Sequence, residues 1–331
     1  MDDCLVFTSK KSEADNLIKE LEDKFTIEDE GDVSGYLGIN ITRPTKGTIK
    51  MNQPALTKRI VDSLGLKDQR QHDIPAEPNA RLTKDEDGPE RKDKFHYRSL
   101  IGQLNYLTAS ARPEIQFATH QLARFSENPK MSHEKAAKRV VRYLKGTLDE
   151  GIIMKPDRSQ GLTCYVDADF AGNWTPEQAL DPRACLSRTG FVIFCANCPI
   201  VWHSKLQTTV SLSATEAECV ALSTAMRDVI YFINLIQEIQ DFGIKLPHAS
   251  KPKVTCRVFE DNVGALELAN AHKLRPRTKH LSVQLHHFRQ CVLDRKVIVE
   301  KICTAHQRAD IFAKALPRDA FRHLRSTASG W

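Results

Sequence analysis

The hydrophobic pattern changes period along the chain. Leu5-Val6-Phe7 reads as a short strand, and Ala14, Leu17, Ile18 and Leu21 then recur at helical spacing between Ser12 and Glu22. Tyr36-Leu-Gly-Ile-Asn-Ile41 and Thr48-Ile-Lys-Met51 read as a hairpin, followed by a helix from Pro54 to Leu64. Residues 67–95 are charged, carry prolines and have no period, so a connector is expected there. Helical spacing returns from Tyr97 to Leu148. Its last helix, Ser132 to Leu148, puts Ala137, Val140, Val141 and Leu144 on one stripe and Lys135, Lys138, Arg139, Arg142 and Lys145 on the other. The basic stripe reads equally as a solvated face or as a track for phosphates.

From Gly161 the period becomes two. Leu162, Cys164 and Val166 alternate with Thr163, Tyr165 and Asp167, a half-buried strand that ends on a carboxylate. Gly190 to Phe194 and Ile200 to Ser204 are expected to pair across a turn at Ala196–Pro199. Ser213-Ala-Thr-Glu216 is a capping box that opens a long helix to Phe242. A strand from Val254 to Phe259, a short helix after Asn262, a helix from Lys279 to Leu293, a strand from Val297 to Ile302 and a last helix from Ala309 complete the pattern. Three strands, helix, strand, helix, strand, helix is the order of an α/β ribonuclease H-like fold, a mixed sheet flanked by helices.

Composition narrows the partners. A chain of 331 residues suits two domains, and a net charge of +6 favours a polyanion such as nucleic acid. No apolar run is expected to reach the roughly 18 residues of a membrane span, and the first residues are acidic where a signal peptide is basic. An intracellular protein, cytoplasmic or nuclear, is expected. The nine cysteines are an odd number and scattered, as for reduced thiols. Cys195-Ala-Asn-Cys198 has no second ligand pair and reads as a hairpin turn rather than a zinc or redox motif.

Four carboxylates then stand out by position. Asp167 closes a strand, Asp261 follows the strand Arg257-Val-Phe259, and Asp310 opens a helix that packs through Ile311, Phe312 and Leu316. Glu218 shares a helix face with Leu222, Ala225 and Val229, which aims it inward, whereas Glu216 serves the cap. Each alone is an ordinary cap or turn residue; the ordered set points to two divalent cations ~3.5–4 Å apart, with Mg²⁺ the ion carboxylates suit best and Mn²⁺ the alternative. Asp169 competes with Asp167, which the strand alternation reaches first.

The same segments resemble the ribonuclease H domain of copia-type long-terminal-repeat retrotransposon Pol polyproteins. The resemblance rests on Tyr165-Val-Asp-Ala-Asp-Phe-Ala-Gly172, Ser187-Arg-Thr-Gly190, Trp202-His-Ser-Lys-Leu-Gln207, Ser213 to Leu222, Glu260-Asp-Asn262, Arg277-Thr-Lys-His280 and Ala309-Asp-Ile-Phe-Ala-Lys314, in that order. It implies a metal-dependent ribonuclease acting on RNA–DNA hybrids, with Asp167, Glu218, Asp261 and Asp310 as ligands. Upstream, Met1-Asp-Asp3, Tyr36-Leu-Gly-Ile39, Tyr97 to Tyr106, Arg112-Pro113 and Arg142 to Thr147 resemble the end of the reverse transcriptase of those polyproteins. In this reading 1–66 is a truncated reverse-transcriptase palm and thumb, 67–150 a connector and helical connection, and 155–325 the ribonuclease H-like domain. Asp2 and Asp3 are the remnant of a polymerase site whose other ligand and nucleotide pocket are absent, so polymerisation is not expected.

Lys273, Arg275, Arg277 and Lys279 are the best candidates for contacts to a hybrid backbone. His306 reads first as an exposed loop histidine and second as a proton-transfer aid beside the metals. Trp202 reads as core rather than as a base-stacking platform. The alternative to a nuclease is a non-catalytic nucleic-acid-binding relic that keeps the fold.

Overall fold

A computed structural model describes residues 4–8, 10–66, 68–78, 80–86, 88–93, 95–243, 254–270 and 282–331. Asp2, Asp3, Lys273, Arg275, Arg277, Lys279 and His280 lie outside the described residues.

Two sheets organise the chain. The first, of four strands, has the order β1 (Gly35–Tyr36), β2 (Ile39–Thr42), β3 (Ile49–Asn52) and β4 (Gly151–Met154). β4 pairs antiparallel with β3, so the chain returns to its N-terminal hairpin after a helical excursion. The Gly-Ile-Ile-Met run of β4 has neither period two nor helical spacing, which is why no strand is expected there. The excursion holds α2 (Pro54–Ser63), α3 (Tyr97–Ser110), α4 (Gln116–Ala123) and α5 (Met131–Lys145). Leu5-Val6-Phe7, expected as a strand, has no regular structure, and α1 (Lys11–Glu22) buries no residue. A strand needs a neighbour for its backbone groups, and Leu5 to Phe7 pair with none of the described strands.

The second sheet holds β5 (Leu162–Asp169), β6 (Arg188–Cys195), β7 (Cys198–Leu206), β8 (Cys256–Glu260) and β9 (Val297–Lys301) in the spatial order β7-β6-β5-β8-β9. β5, β6 and β7 are antiparallel neighbours, and β8 and β9 run parallel to β5. Three antiparallel strands on one side and two parallel strands on the other give the expected mixed sheet of a ribonuclease H-like fold. Ala196 and Asn197, both at positive φ, make the tight turn that sets Cys195 opposite Cys198.

Alternation along β6 separates two cores. Phe191 and Ile193 face α6 (Ala214–Asp241), α7 (Val263–Asn270) and α8 (Ser282–Leu293). Val192 and Phe194 face the opposite core, shared by α2 to α5 with α9 (Asp310–Ala313) and α10 (Arg318–Ser329). Trp202 packs on this second core and donates its Nε1–H to Thr108 O at 2.8 Å, as its reading as a core residue requires. The last helix, expected to run on from Ala309, is broken into α9 and α10, with Pro317 capping the second.

The basic stripe of α5 is used internally. Lys138 pairs with Asp93 and Glu134, Arg139 with Glu77, and Arg142 and Lys145 reach Gln69. Four of its five cations therefore hold the acidic connector down, and only Lys135 is exposed. The stripe is therefore less solvated than a free helix face, and its half-buried cations carry a packing role.

One expectation fails on α6. A stretch of it has a mean hydropathy of 1.4 over 18 residues, long and apolar enough by composition to cross a membrane. The pattern of single residues hides this because Glu216, Glu218, Arg227 and Asp228 interrupt the apolar positions. Half of that window is buried inside the protein, where it covers the five-stranded sheet.

Two half-buried histidines lie on opposite faces of this sheet: His120 of α4 meets Arg188 of β6, and His203 of β7 stacks on Phe191 on the α6 side. Burial, reinforced by Arg188, pulls His120 down to about 3, and burial with Lys205 nearby pulls His203 down to about 4. Both folded values lie below the unfolded ~6.5, so the unfolded chain binds the extra protons and their contribution is complete above pH ~6.5 and lost as pH falls through the folded values. Replacing both by Asn is expected to flatten the slope of unfolding free energy between pH ~6.5 and ~4, by roughly 1 kcal/mol per histidine at pH ~5. Chemical denaturation at stepped pH measures it; an unchanged slope would contradict the burial argument.

Candidate active site

The four expected carboxylates meet at the C-terminal ends of β5 and β8. Asp167 lies on β5 directly opposite Gly190 of β6, and the strand continues two residues beyond it, to Asp169. Glu218 sits one turn inside α6, whose N-terminus carries the forward half of the expected capping box: Ser213 Oγ accepts from Glu216 N at 3.1 Å, while Glu216 Oε2 accepts from Leu212 N, one residue before the cap, at 2.8 Å. Asp261 follows β8 and accepts from Thr304 Oγ1 at 2.7 Å. Carboxylate oxygens of Asp167, Glu218 and Asp261 lie within 4.8 Å of one another.

Asp310 is brought in by the loop between β9 and α9. Gln307, fully buried, donates from Nε2 to Val166 O at 2.8 Å and so ties that loop to β5 one residue before Asp167. α9 then lies directly on β6 at Gly190. A Cβ there would come within 2.8 Å of Ala313 N and 2.9 Å of the Phe312 carbonyl carbon. Gly190→Ala is therefore expected to cost roughly 1–3 kcal/mol and to lift Asp310 away from Asp167. Thermal melting reports the first effect; a native melting temperature would show that the contact gives way freely.

Three further charged side chains belong to the site. Lys314 Nζ lies 2.9 Å from Asp310 Oδ1 and 3.5 Å from Asp167 Oδ2. Its place four residues after Asp310 puts both on one helical face, a spacing that reveals it once Asp310 is taken as a ligand. Glu260 is fully buried and accepts from Asn262 N at 3.0 Å. It shares the α6 side of β8 with Cys256 and Val258, so the period-two pattern carries it inward. Asp169 lies beside Arg188 in the ladder and is held above the usual carboxylate range by burial. His306 is exposed, which agrees with its first reading.

The electrostatics call for positive charge. Burial raises Asp167, with Lys314 opposing and Asp261 adding to the rise. Burial and then Glu260 raise Glu218 well above its ordinary value, and burial does the same to Glu260. Burial and Asp167 push Asp310 up to about 7. Burial pulls Lys314 down, but Asp167 and Asp310 outweigh it and hold the ammonium above its ordinary value. Glu218 Oε2 and Glu260 Oε2 are buried without a hydrogen-bond partner, and Asp167 Oδ2 and Asp310 Oδ1 are buried against the Lys314 ammonium, at 3.5 and 2.9 Å. Buried carboxylate oxygens in want of partners are hard ligands, and the set fits a divalent cation such as Mg²⁺.

No protein-family model matches the chain. The Pol polyprotein from transposon RE1 of Arabidopsis thaliana is 29% identical over 98% of this chain and 21% of its own length. That from transposon TNT 1-94 of Nicotiana tabacum is 30% identical over 97% of this chain and 23% of its own length. The chain is thus similar along nearly its whole length to Pol polyproteins of transposons, at about 30% identity. The chain spans about a fifth of the length of the curated relatives it matches. Among solved structures, the N-terminal RNase H domain of Rv2228c from Mycobacterium tuberculosis, fused to maltose-binding protein, matches 50% of this chain and 97% of that chain at 14% identity and a TM-score of 0.31. The ribonuclease H-like assignment rests on the strand order and directions given above.

Proposed function

We propose that the chain is a retroelement ribonuclease H that hydrolyses the RNA strand of RNA–DNA hybrids. The observation that carries the reading is the convergence of Asp167, Glu218 and Asp261 within 4.8 Å, with a buried Glu218 oxygen that lacks a hydrogen-bond partner. Asp167 would be shared by two divalent cations, with Glu218 and Asp261 holding one and Asp310 the other. When bound, Mg²⁺ or Mn²⁺ supplies Lewis-acid stabilisation at the attacking and leaving oxygens of the phosphodiester. The protein's part is to fix those carboxylates on a rigid sheet edge, through the α6 cap, Thr304 and Gln307. Lys273, Arg275, Arg277 and Lys279 would follow the hybrid backbone, and the 2′-hydroxyl would distinguish the RNA strand.

In this reading residues 1–66 correspond to the end of a reverse transcriptase and 67–150 to its connection, 155–325 to the nuclease, and Asp2 and Asp3 take no part in RNA cleavage. Polymerisation is not proposed for this chain. Purified protein is expected to cut hybrid and spare duplex DNA with Mg²⁺ present, and Asp261→Asn to abolish the cutting. Equal cleavage by that variant would remove the assignment; salt-dependent hybrid binding with no cleavage by the native chain would instead favour a non-catalytic relic.

A further inference from the structure

The cation requirement of the site is met unequally at its two poles. At one pole Asp167, Glu218 and Asp261 stand within 4.8 Å of one another. At the other, Asp167 and Asp310 already have a cation: the Lys314 ammonium, at 3.5 and 2.9 Å. Three carboxylates, with Glu260 buried beside them, face one position, and two carboxylates plus an ammonium face the other.

Lys314 is placed to leave as well as to stay. It is the C-cap of α9, in extended backbone after a helix of four residues, so no helical turn follows to confine its side chain. That side chain is 36% exposed, whereas those of Asp167 and Asp310 are 4% and 9% exposed. A lysine is a compact charge on a flexible four-carbon stem, able to swing toward solvent without disturbing the backbone. The carboxylates have no such freedom, because β5 and the Gln307 and Gly190 contacts hold them.

We propose that Lys314 is a built-in cation that occupies the Asp167–Asp310 pole of the metal-free site and competes for it with the second divalent ion. Its ammonium offsets the repulsion between Asp167 and Asp310 when no metal is present. It also makes the poles unequal, so the ion at Asp167, Glu218 and Asp261 binds first and the ion at Asp310 binds only as the ammonium withdraws. The proposal takes the identity of the ligands from the nuclease reading, but it concerns ion binding by the free protein and not the reaction.

The test is titration of Mn²⁺ into the full chain without nucleic acid, followed by calorimetry and by the electron paramagnetic resonance of free Mn²⁺, beside thermal melts without metal. The native chain is expected to bind a second ion at least about tenfold more weakly than the first, because ligand charge sets the affinity of such sites. Lys314→Met is expected to lower the metal-free melting temperature and to tighten the second ion by about tenfold or more, leaving the first within about threefold. Lys314→Arg, which keeps the charge, is expected to retain the native gap between the two ions and covers the case in which the Met variant folds only with metal. A folded Lys314→Met that binds the second ion no more tightly than the native chain overturns the proposal, and so does an Arg variant that tightens it as much as Met. Absence of hybrid cleavage by the native chain would count against the nuclease reading while leaving this ion count intact.

Discussion

Asp167→Asn is expected to lower the rate of RNA cleavage in a hybrid by on the order of a thousandfold or more, about 4 kcal/mol of transition-state stabilisation. Asp167 is the residue both poles share: it lies within 4.8 Å of Glu218 and Asp261 through one oxygen and 3.5 Å from Lys314 through Oδ2. The amide keeps the shape of the side chain and removes its charge, so the β5 register and the Gln307 contact survive. The metal-free fold is expected to be as stable as the native one or more so, because a buried carboxylate raised by burial and by Asp261 is no longer present. Single-turnover cleavage and a thermal melt on the same preparation separate the effects. Loss of the fold together with the activity would make Asp167 a structural residue and remove the argument.

The largest effect on stability is expected away from the site. Arg112 and Glu114 have side chains with no exposure and pair through Nε and Oε1 at 2.7 Å. The remaining guanidinium nitrogens donate to Thr147 O at 2.8 Å and Thr147 Oγ1 at 2.6 Å. Tyr143 of α5 donates to Glu114 at 3.4 Å, Arg325 of α10 donates to Tyr143 at 3.4 Å, and Trp331 covers both arginines. This cluster joins the end of α3 to α5 and α10, and so couples the helical layer to the elements that carry Asp310. Arg112→Met leaves the Glu114 charge buried without a partner and is expected to cost about 3–5 kcal/mol. Adding Glu114→Leu is expected to recover most of that loss, since an apolar pair of similar volume is often neutral. Urea midpoints of the two variants decide it: a single variant within about 1 kcal/mol of the native chain would show that water reaches the pair.

Much of the second half was legible because its rules are local. Period two placed β5 and β6, the Ser213 to Glu216 box fixed the start of α6, and the face shared with Leu222 and Val229 separated Glu218 from Glu216. Where order in the chain and order in space diverge, the pattern said less. β4 pairs with β3 across nearly a hundred residues, and nothing within Gly-Ile-Ile-Met announces the partner. Arg112 and Glu114 are two apart, a spacing that does not face on a helix, so their pairing appears only with the fold. The α5 cations looked like a surface because the acidic connector they hold is irregular and far upstream. At the site, the carboxylates were readable only as an ordered set, while Glu260 and Lys314 became part of it only when burial and distance were known. An acidic site draws attention to its acids, and the lysine that offsets them is a single cation among 48 basic residues.

The central claim is that these carboxylates, held at one sheet edge, hydrolyse the RNA strand of a hybrid. It is tested most directly by incubating the purified full chain with an RNA–DNA hybrid labelled on the RNA, with Mg²⁺ and again with chelator. RNA fragments are expected only with the metal, from the hybrid and not from duplex DNA. A folded protein that binds the hybrid and leaves the RNA intact at every Mg²⁺ and Mn²⁺ concentration would contradict it.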